Sequence, residues 1–243
     1  MWHRTTHENS FPGLPCPSCA SGKLKLIKDG LNVIEPKYSS DFQRRELYDV
    51  VERWSATLRC DENACGEIVQ MIGDTEVVEF EFERSDGQPD WGLTRVLRIQ
   101  AVFPAPPLFR ISKNVPRKVE EQLQLAFRMY WTDESACVAR LRTAVEALLD
   151  YQKVPKEQKT KNGKMRRLNL KERIDAFAIG ASHQDQLQGL RNIGNFGTHG
   201  GDDVIDEDLF DAIDVLESVL TGIYDTQSIN AKAKKLADKR PRT

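Results

Sequence analysis

Two close pairs of cysteines, Cys16-Pro-Ser-Cys19 and Cys60-Asp-Glu-Asn-Ala-Cys65, constrain this chain more than any other feature. Thiolates are soft ligands, and zinc takes four of them in a tetrahedron at about 2.3 Å. Two short turns, each offering a pair of sulfurs, meet that demand when the chain between them folds into strands that bring the turns together. Gly66, directly after the second pair, suits a tight metal-binding turn. Four sulfurs fill every position of a tetrahedral ion, so the expected metal is a structural zinc on Cys16, Cys19, Cys60 and Cys65. His3 and His7 are substitutes for one ligand, and four unrelated core cysteines are the competing reading. In a reducing compartment such spacing speaks for metal before disulfide. The fifth cysteine, Cys137, sits on the apolar side of a helical pattern and reads as a small core residue.

The residues around the pairs favour strands. "KLKLIK" (23–28), "WSATLRC" (54–60), "EIVQMI" (67–72) and "EVVEFEFE" (76–83) cluster or alternate β-formers in short runs. Residues 1–85 are therefore expected to form a small β-rich region, and the two-pair spacing within it resembles a zinc ribbon. Residues 86–116 carry "SDGQPDWG" and "FPAPP", the chemistry of turns and extended chain, and read as a linker in which 94–103 can add a strand.

From about residue 117 the hydrophobic period becomes helical. Helices are expected over 117–131 and 133–152, the second capped by Asp133, with Val138, Leu141, Val145, Leu148 and Gln152 on its buried stripe. Residues 153–173 hold nine basic and two acidic side chains and read as a basic connector entering a third helix, where Asn169 and Glu172 form a capping box. A fourth helix starts at 181. A fifth, over 203–225, has acids at its start, where the helix dipole favours them, and buries Leu209, Ile213, Leu216, Leu220 and Ile223. The fold expected is thus α+β: a β-rich region, then an all-α bundle over 117–228, then a basic, frayed tail over 229–243.

The sum of charges is −2 in 243 residues, so any contact with nucleic acid has to come from a local patch. No apolar run approaches the roughly 20 residues of a membrane span. The first residues, MWHRTTHENSFPG, lack the apolar core of a secretory signal, and a cytoplasmic location is expected.

One stretch resists a purely structural account. "RNIGNFGTHGG" (191–201) places an arginine, two asparagines, a histidine and four glycines in succession. On a helix Arg191, Asn195 and His199 follow i, i+4, i+8 and form one slanted polar ridge. If the glycines break the helix, Arg191 and His199 fold toward each other across a turn instead. Either way a guanidinium and an imidazole stand near each other, the pair that phosphodiester chemistry uses for charge and proton. The alternative is plain packing, with the glycines admitting a neighbouring backbone.

"CVARLRTAVEALLDYQ", "NLKERIDAF", "LRNIGNFGTHGG" and the acidic helix after them, residues 137–225, resemble domain of unknown function (DUF) 4145, a helical family placed in the HEPN superfamily. The sharpest parts are Arg142 with Glu146 and the Gly194-Asn195…His199 signature. The resemblance implies an up-and-down bundle that forms a homodimer, and active relatives that cleave RNA without metal. It assigns phosphate contact to Arg191, the following polar position to Asn192 and proton transfer to His199. Asn195 and Glu146 become supporting residues. Seven residues separate Arg191 from His199, a longer gap than the superfamily pattern has. The function expected is binding or cleavage of RNA, in a defence or toxin-like system, with Lys164, Arg166 and Arg167 of the basic connector touching the backbone. The rival is a non-enzymatic scaffold whose zinc ribbon binds a protein partner.

Overall fold

The computed structural model describes residues 3–8, 10–19, 21–40, 46–85, 87–177, 180–199, 206–225 and 234–236, without the side chains of 181, 195–199 and 206. The chain divides into two units, Met1–Pro107 and Leu108–Thr243.

The first unit is built on one antiparallel sheet. Its strands are β1 (Thr5–Thr6), β2 (Leu24–Ile34), β3 (Arg53–Cys60), β4 (Ile68–Glu83) and β5 (Pro89–Phe103), in the order β1-β5-β4-β3-β2; a helical turn, α1 (Lys37–Ser40), follows β2. β3 shows the two-residue period plainly: Trp54, Ala56, Leu58 and Cys60 are buried, and the residues between them face outward or are half-covered. Trp54 Nε1 satisfies itself on the Asp74 carbonyl at 3.0 Å.

Two expectations change here. The runs 67–72 and 76–83 belong to one 16-residue strand, β4. Gly73 makes this continuity possible: a register shift falls between Ile72 and Gly73, and a Cβ on Gly73 would lie 1.8 Å from the Arg98 carbonyl oxygen. The expected linker over 86–116 contains the 15-residue β5, which pairs with β4 from Pro89 to Phe103. Only the few residues around Gly87, whose φ is +78°, make the turn. Proline at the first strand position leaves the ladder intact, so "QPDW" reads as a turn in sequence and starts a strand in space. The β unit therefore runs past residue 85, and the helical unit starts before 117.

The second unit comprises α2 (Arg117–Met129), α3 (Glu134–Tyr151), the short hairpin β6 (Glu157–Lys159) and β7 (Met165–Arg167), α4 (Leu170–Asp175), α5 (Ala181–His199) and α6 (Asp206–Tyr224). Asp133 caps α3, its Oδ1 accepting from the Ala136 amide at 2.8 Å. Asn169 and Glu172 form the reciprocal box of α4, each side chain bonding the other's amide at 2.9 Å. Val138, Leu141, Val145 and Leu148 are buried on α3, and the five expected residues of α6 are buried as well. Each such side chain contributes about 2 kcal/mol on leaving water. Gln152 departs from the expected stripe. It ends α3 as a cap and donates from Nε2 to the Tyr224 hydroxyl at 3.3 Å. Cys137 is fully buried, as expected of a core residue.

The basic connector is more ordered than expected. Residues 157–167 form a hairpin turned at Gly163 (φ +78°), and its base is tied down by Arg173, 7% exposed, which donates to Asp150 Oδ1 at 2.7 Å. Lys156 reaches the other oxygen of Asp150, also at 2.7 Å. The expected tail falls outside the described residues except for 234–236, which are helical. No helix among the described residues is long and apolar enough to cross a membrane.

Candidate metal centre and the arginine–histidine helix

The four cysteines of the two pairs converge. Their sulfurs all lie within 4.8 Å of one another, with Cys16–Cys65 and Cys19–Cys60 each at 3.7 Å. A tetrahedron of sulfurs about 2.3 Å from a central ion has edges of about 3.8 Å, and a disulfide would need a separation of about 2.05 Å. The cluster is thus spaced for an ion and too open for a covalent bond. His3 and His7 are not part of it.

Local chemistry builds the two turns. Cys16 and Leu24 bracket the first, with the Cys16 amide on the Gly22 carbonyl and the Leu24 amide on the Leu14 carbonyl. Within it the Ser18 amide points at Cys16 Sγ (3.4 Å) and the Gly22 amide at Cys19 Sγ (3.3 Å), donors that favour thiolates. The second turn closes through the Cys65 and Gly66 amides on the Glu62 carbonyl, and Gly66 has the expected left-handed backbone, φ +62°. Lys23 joins the turns: its amide donates to Asp61 Oδ1 at 2.8 Å, and its carbonyl accepts from the Asp61 amide. The sulfurs differ in their surroundings. Hydrogen bonds from the Ser21 side chain and the Gly22 amide pull Cys19 down to about 6, while burial pushes Cys60 up to about 12.

Sequence reasoning missed Gly22. A Cβ there would sit 2.3 Å from Cys60 Sγ and 3.0 Å from Glu62 Cβ, so any other residue would push the two turns apart. The signal was present as a glycine three positions after Cys19, in a stretch that otherwise looks like ordinary turn chemistry.

The second candidate site lies on α5, which runs unbroken through Gly194 and Gly197 to His199. Of the two geometries considered for 191–201, the continuous helix is the one adopted up to His199; Gly200 and Gly201 lie outside the described residues, as do the side chains of Asn195 and His199. Positions 191 and 199 of an unbroken helix stand about 12 Å apart along its axis. Arg191 is half-buried and donates from Nη2 to Asn192 Oδ1, and its Nε is buried with no hydrogen-bond partner among the described residues.

Packing accounts for the glycine at 194 of this helix. A Cβ on it would lie 2.9 Å from Arg142 Cβ and 3.0 Å from Arg142 Cδ, so the aliphatic stem of α3's arginine occupies the space. Arg142 Nε lies 3.6 Å from Glu146 Oε1, one turn further along α3. Of the pair singled out in the sequence, Arg142 is therefore part of the α3–α5 contact. Gly222 does the same on α6, where a Cβ would meet His183 Nε2 at 2.5 Å.

Of the three basic residues assigned to RNA, Lys164 and Arg167 are exposed on the hairpin. Arg166 is engaged by Glu172 through two bonds, at 2.7 and 3.1 Å, which leaves it less available.

Comparison with known families divides the chain as the structure does. Residues 4–94 match the family described as Domain of unknown function (DUF8608). No curated protein and no solved structure matches the chain. Residues 124–239, a wider span than the motifs alone cover, match the family described as Domain of unknown function (DUF4145).

Proposed function

We propose that the chain is an RNA-directed protein whose helical unit, of HEPN type, grips the phosphate backbone. The observation that supports this most directly is the basic hairpin: Lys159, Lys161, Lys164 and Arg167 are all exposed, on a support held rigid by the Asp150–Arg173 and Arg166–Glu172 pairs. Phosphates are bound by such local concentrations of cation whatever the net charge of the chain. In the same proposal the cysteine centre holds zinc and is structural, because four sulfurs leave no coordination position for a reacting group.

Cleavage, where it occurs, follows from the α5 residues. The 2′-hydroxyl attacks the adjacent phosphorus, the 5′-oxygen leaves with a proton, and the products are a 2′,3′-cyclic phosphate and a 5′-hydroxyl. Arg191 would hold the phosphoryl oxygens and His199 would move the proton, with Asn192 and Asn195 beside them. Twelve ångströms along one helix is further than one phosphate spans, so the cleaving form proposed is a homodimer that places Arg191 of one chain near His199 of the other. The contact of Gly194 with the Arg142 stem favours a second reading, in which the glycine-rich stretch serves packing alone and the chain is a scaffold.

The two readings separate in one assay. Full-length protein is incubated with total RNA in EDTA, beside His199→Ala and the triple variant Lys161→Glu/Lys164→Glu/Arg167→Glu. The RNA reading expects retention of RNA that falls with salt and is lost in the triple variant; cleavage abolished in His199→Ala adds the enzymatic step. RNA retention indifferent to the triple substitution sinks the RNA proposal, and cleavage equal in wild type and His199→Ala sinks the nuclease.

A further inference from the structure

Strands β4 and β5 outrun their sheet. β3 follows β4 only as far as Asp74, and β1 touches β5 only at Leu97 and Arg98. Beyond these points residues 76–83 and 89–96 pair, among the described residues, with each other alone. A two-stranded ribbon is marginal in water and has no core in which to hide apolar groups. Yet this one carries Phe80, Phe82, Trp91 and Leu93, exposed at 43%, 41%, 65% and 43%.

Register sorts these side chains onto two faces. Phe80 and Phe82 share one, their rings 5.7 Å apart, with Phe80 lying over Gly92, where a Cβ would come within 2.8 Å of the ring. On the other face Trp91 stands opposite Glu81 and Leu93 opposite Glu79. Of the nearby cations Arg84 is committed to Asp90, Arg95 to Glu52 and Arg98 to Glu76. Among the described residues Glu79 and Glu81 have no ion pair, and both are exposed. The face therefore alternates apolar surface with uncompensated carboxylate.

We propose that this face of the β4–β5 arm, made by Glu79, Glu81, Trp91 and Leu93, docks a cationic polypeptide segment in extended conformation. A lysine or arginine lays its aliphatic stem along Trp91 or Leu93 and its charged head at the facing carboxylate, and the indole adds cation–π attraction. The β4 edge over 76–83, which no strand covers among the described residues, offers backbone groups to such a segment. Charge decides the class of partner. Carboxylates repel the phosphates of nucleic acid and anionic lipid, and a second copy joined through this face would set glutamate against glutamate. The arm thus selects a basic protein, a function separate from the basic hairpin of the helical unit.

The test uses the full-length, zinc-loaded protein and a synthetic octapeptide alternating lysine and valine, titrated by calorimetry. Trp91→Ala and Glu79→Lys/Glu81→Lys change exposed positions, so unaltered circular dichroism confirms that each variant remains folded. Binding that weakens with salt and drops about tenfold in each variant is the expected result. Three results overturn the proposal: no binding of the octapeptide, binding indifferent to both variants, or a dimer of the protein alone that Trp91→Ala dissociates, which would give the face to a second copy.

Discussion

The two units of this chain keep their interiors in different ways. The helical unit buries large apolar side chains from five helices, Leu123, Leu148 and Leu216 among them, with Tyr130 and Trp131 from the turn after α2, and caps its helices with Asp133 and Asn169. The β unit has far fewer apolar groups to bury among the described residues, and a long part of its largest hairpin stands outside any core. At the end of its sheet four sulfurs take the place that leucines hold elsewhere. Burying a side chain removes apolar area from water one residue at a time, whereas a metal links distant turns in a single step. The two units should therefore fail differently: the first all at once when its ligands are lost, the second by degrees.

The largest expected effect follows from that contrast. Removing the ion with a strong chelator, or making Cys60→Ser, should unfold the β unit while α2–α6 stay folded. Circular dichroism should keep the helical signal, and amide spectra should lose the dispersed resonances of β2–β5. Elemental analysis should find about one zinc per chain beforehand. A β unit that stays folded with substoichiometric metal would remove the basis of the comparison.

The same contrast explains what was legible in the sequence. Cysteine pairs and helical periods are local or strongly periodic, so the convergence of the four cysteines, the buried stripe of α6 and both caps could be read directly. What escaped depends on partners distant along the chain. Gly73 looks like a strand break until the Arg98 carbonyl is seen beside it, and "QPDWG" looks like a turn until β4 supplies a strand to pair with. Gly22 is unremarkable without Cys60 Sγ against it, and Gly194 suggests a ligand until the Arg142 stem fills the space. The chemistry of Arg191 and His199 stays least legible, because it depends on what approaches α5 from outside the chain.

In the helical unit the expected pH dependence centres on Asp150. Burial opposes its ionisation, but hydrogen bonds from Lys156 and Arg173 outweigh that and hold its carboxyl below the ordinary range. Glu172 is held low by Arg166 and the Asn169 amide. A carboxylate whose folded value is depressed stabilises fully above its unfolded value, about 3.9 for aspartate, and the contribution disappears as pH falls through the lower folded value. Asp150→Ala should cost about 2 kcal/mol near neutral pH, because among the described residues Arg173 then remains buried with the Val154 carbonyl as its one partner. Thermal melts should show the difference between wild type and variant shrinking below about pH 4. A difference unchanged at pH 3 would mean that the pair is not what anchors the basic hairpin.

The smallest effect is the most diagnostic for α5, because two glycines of one helix should answer the same substitution differently. A Cβ at Gly189 meets nothing within 4 Å, so Gly189→Ala should stabilise by up to about 1 kcal/mol through helix propensity alone. At Gly194 the same gain is set against the Arg142 stem at 2.9 Å, and overpacking of this kind costs about 1–3 kcal/mol. Gly194→Ala should therefore be neutral to destabilising by about 2 kcal/mol, and Arg142→Ala in the same chain should recover only part of the gain, because it removes Cγ and Cδ but leaves the Arg142 Cβ at 2.9 Å. If Gly194→Ala stabilises as Gly189→Ala does, the glycine is not held by packing. Its place beside Arg191 would then have to be explained by a ligand that approaches α5.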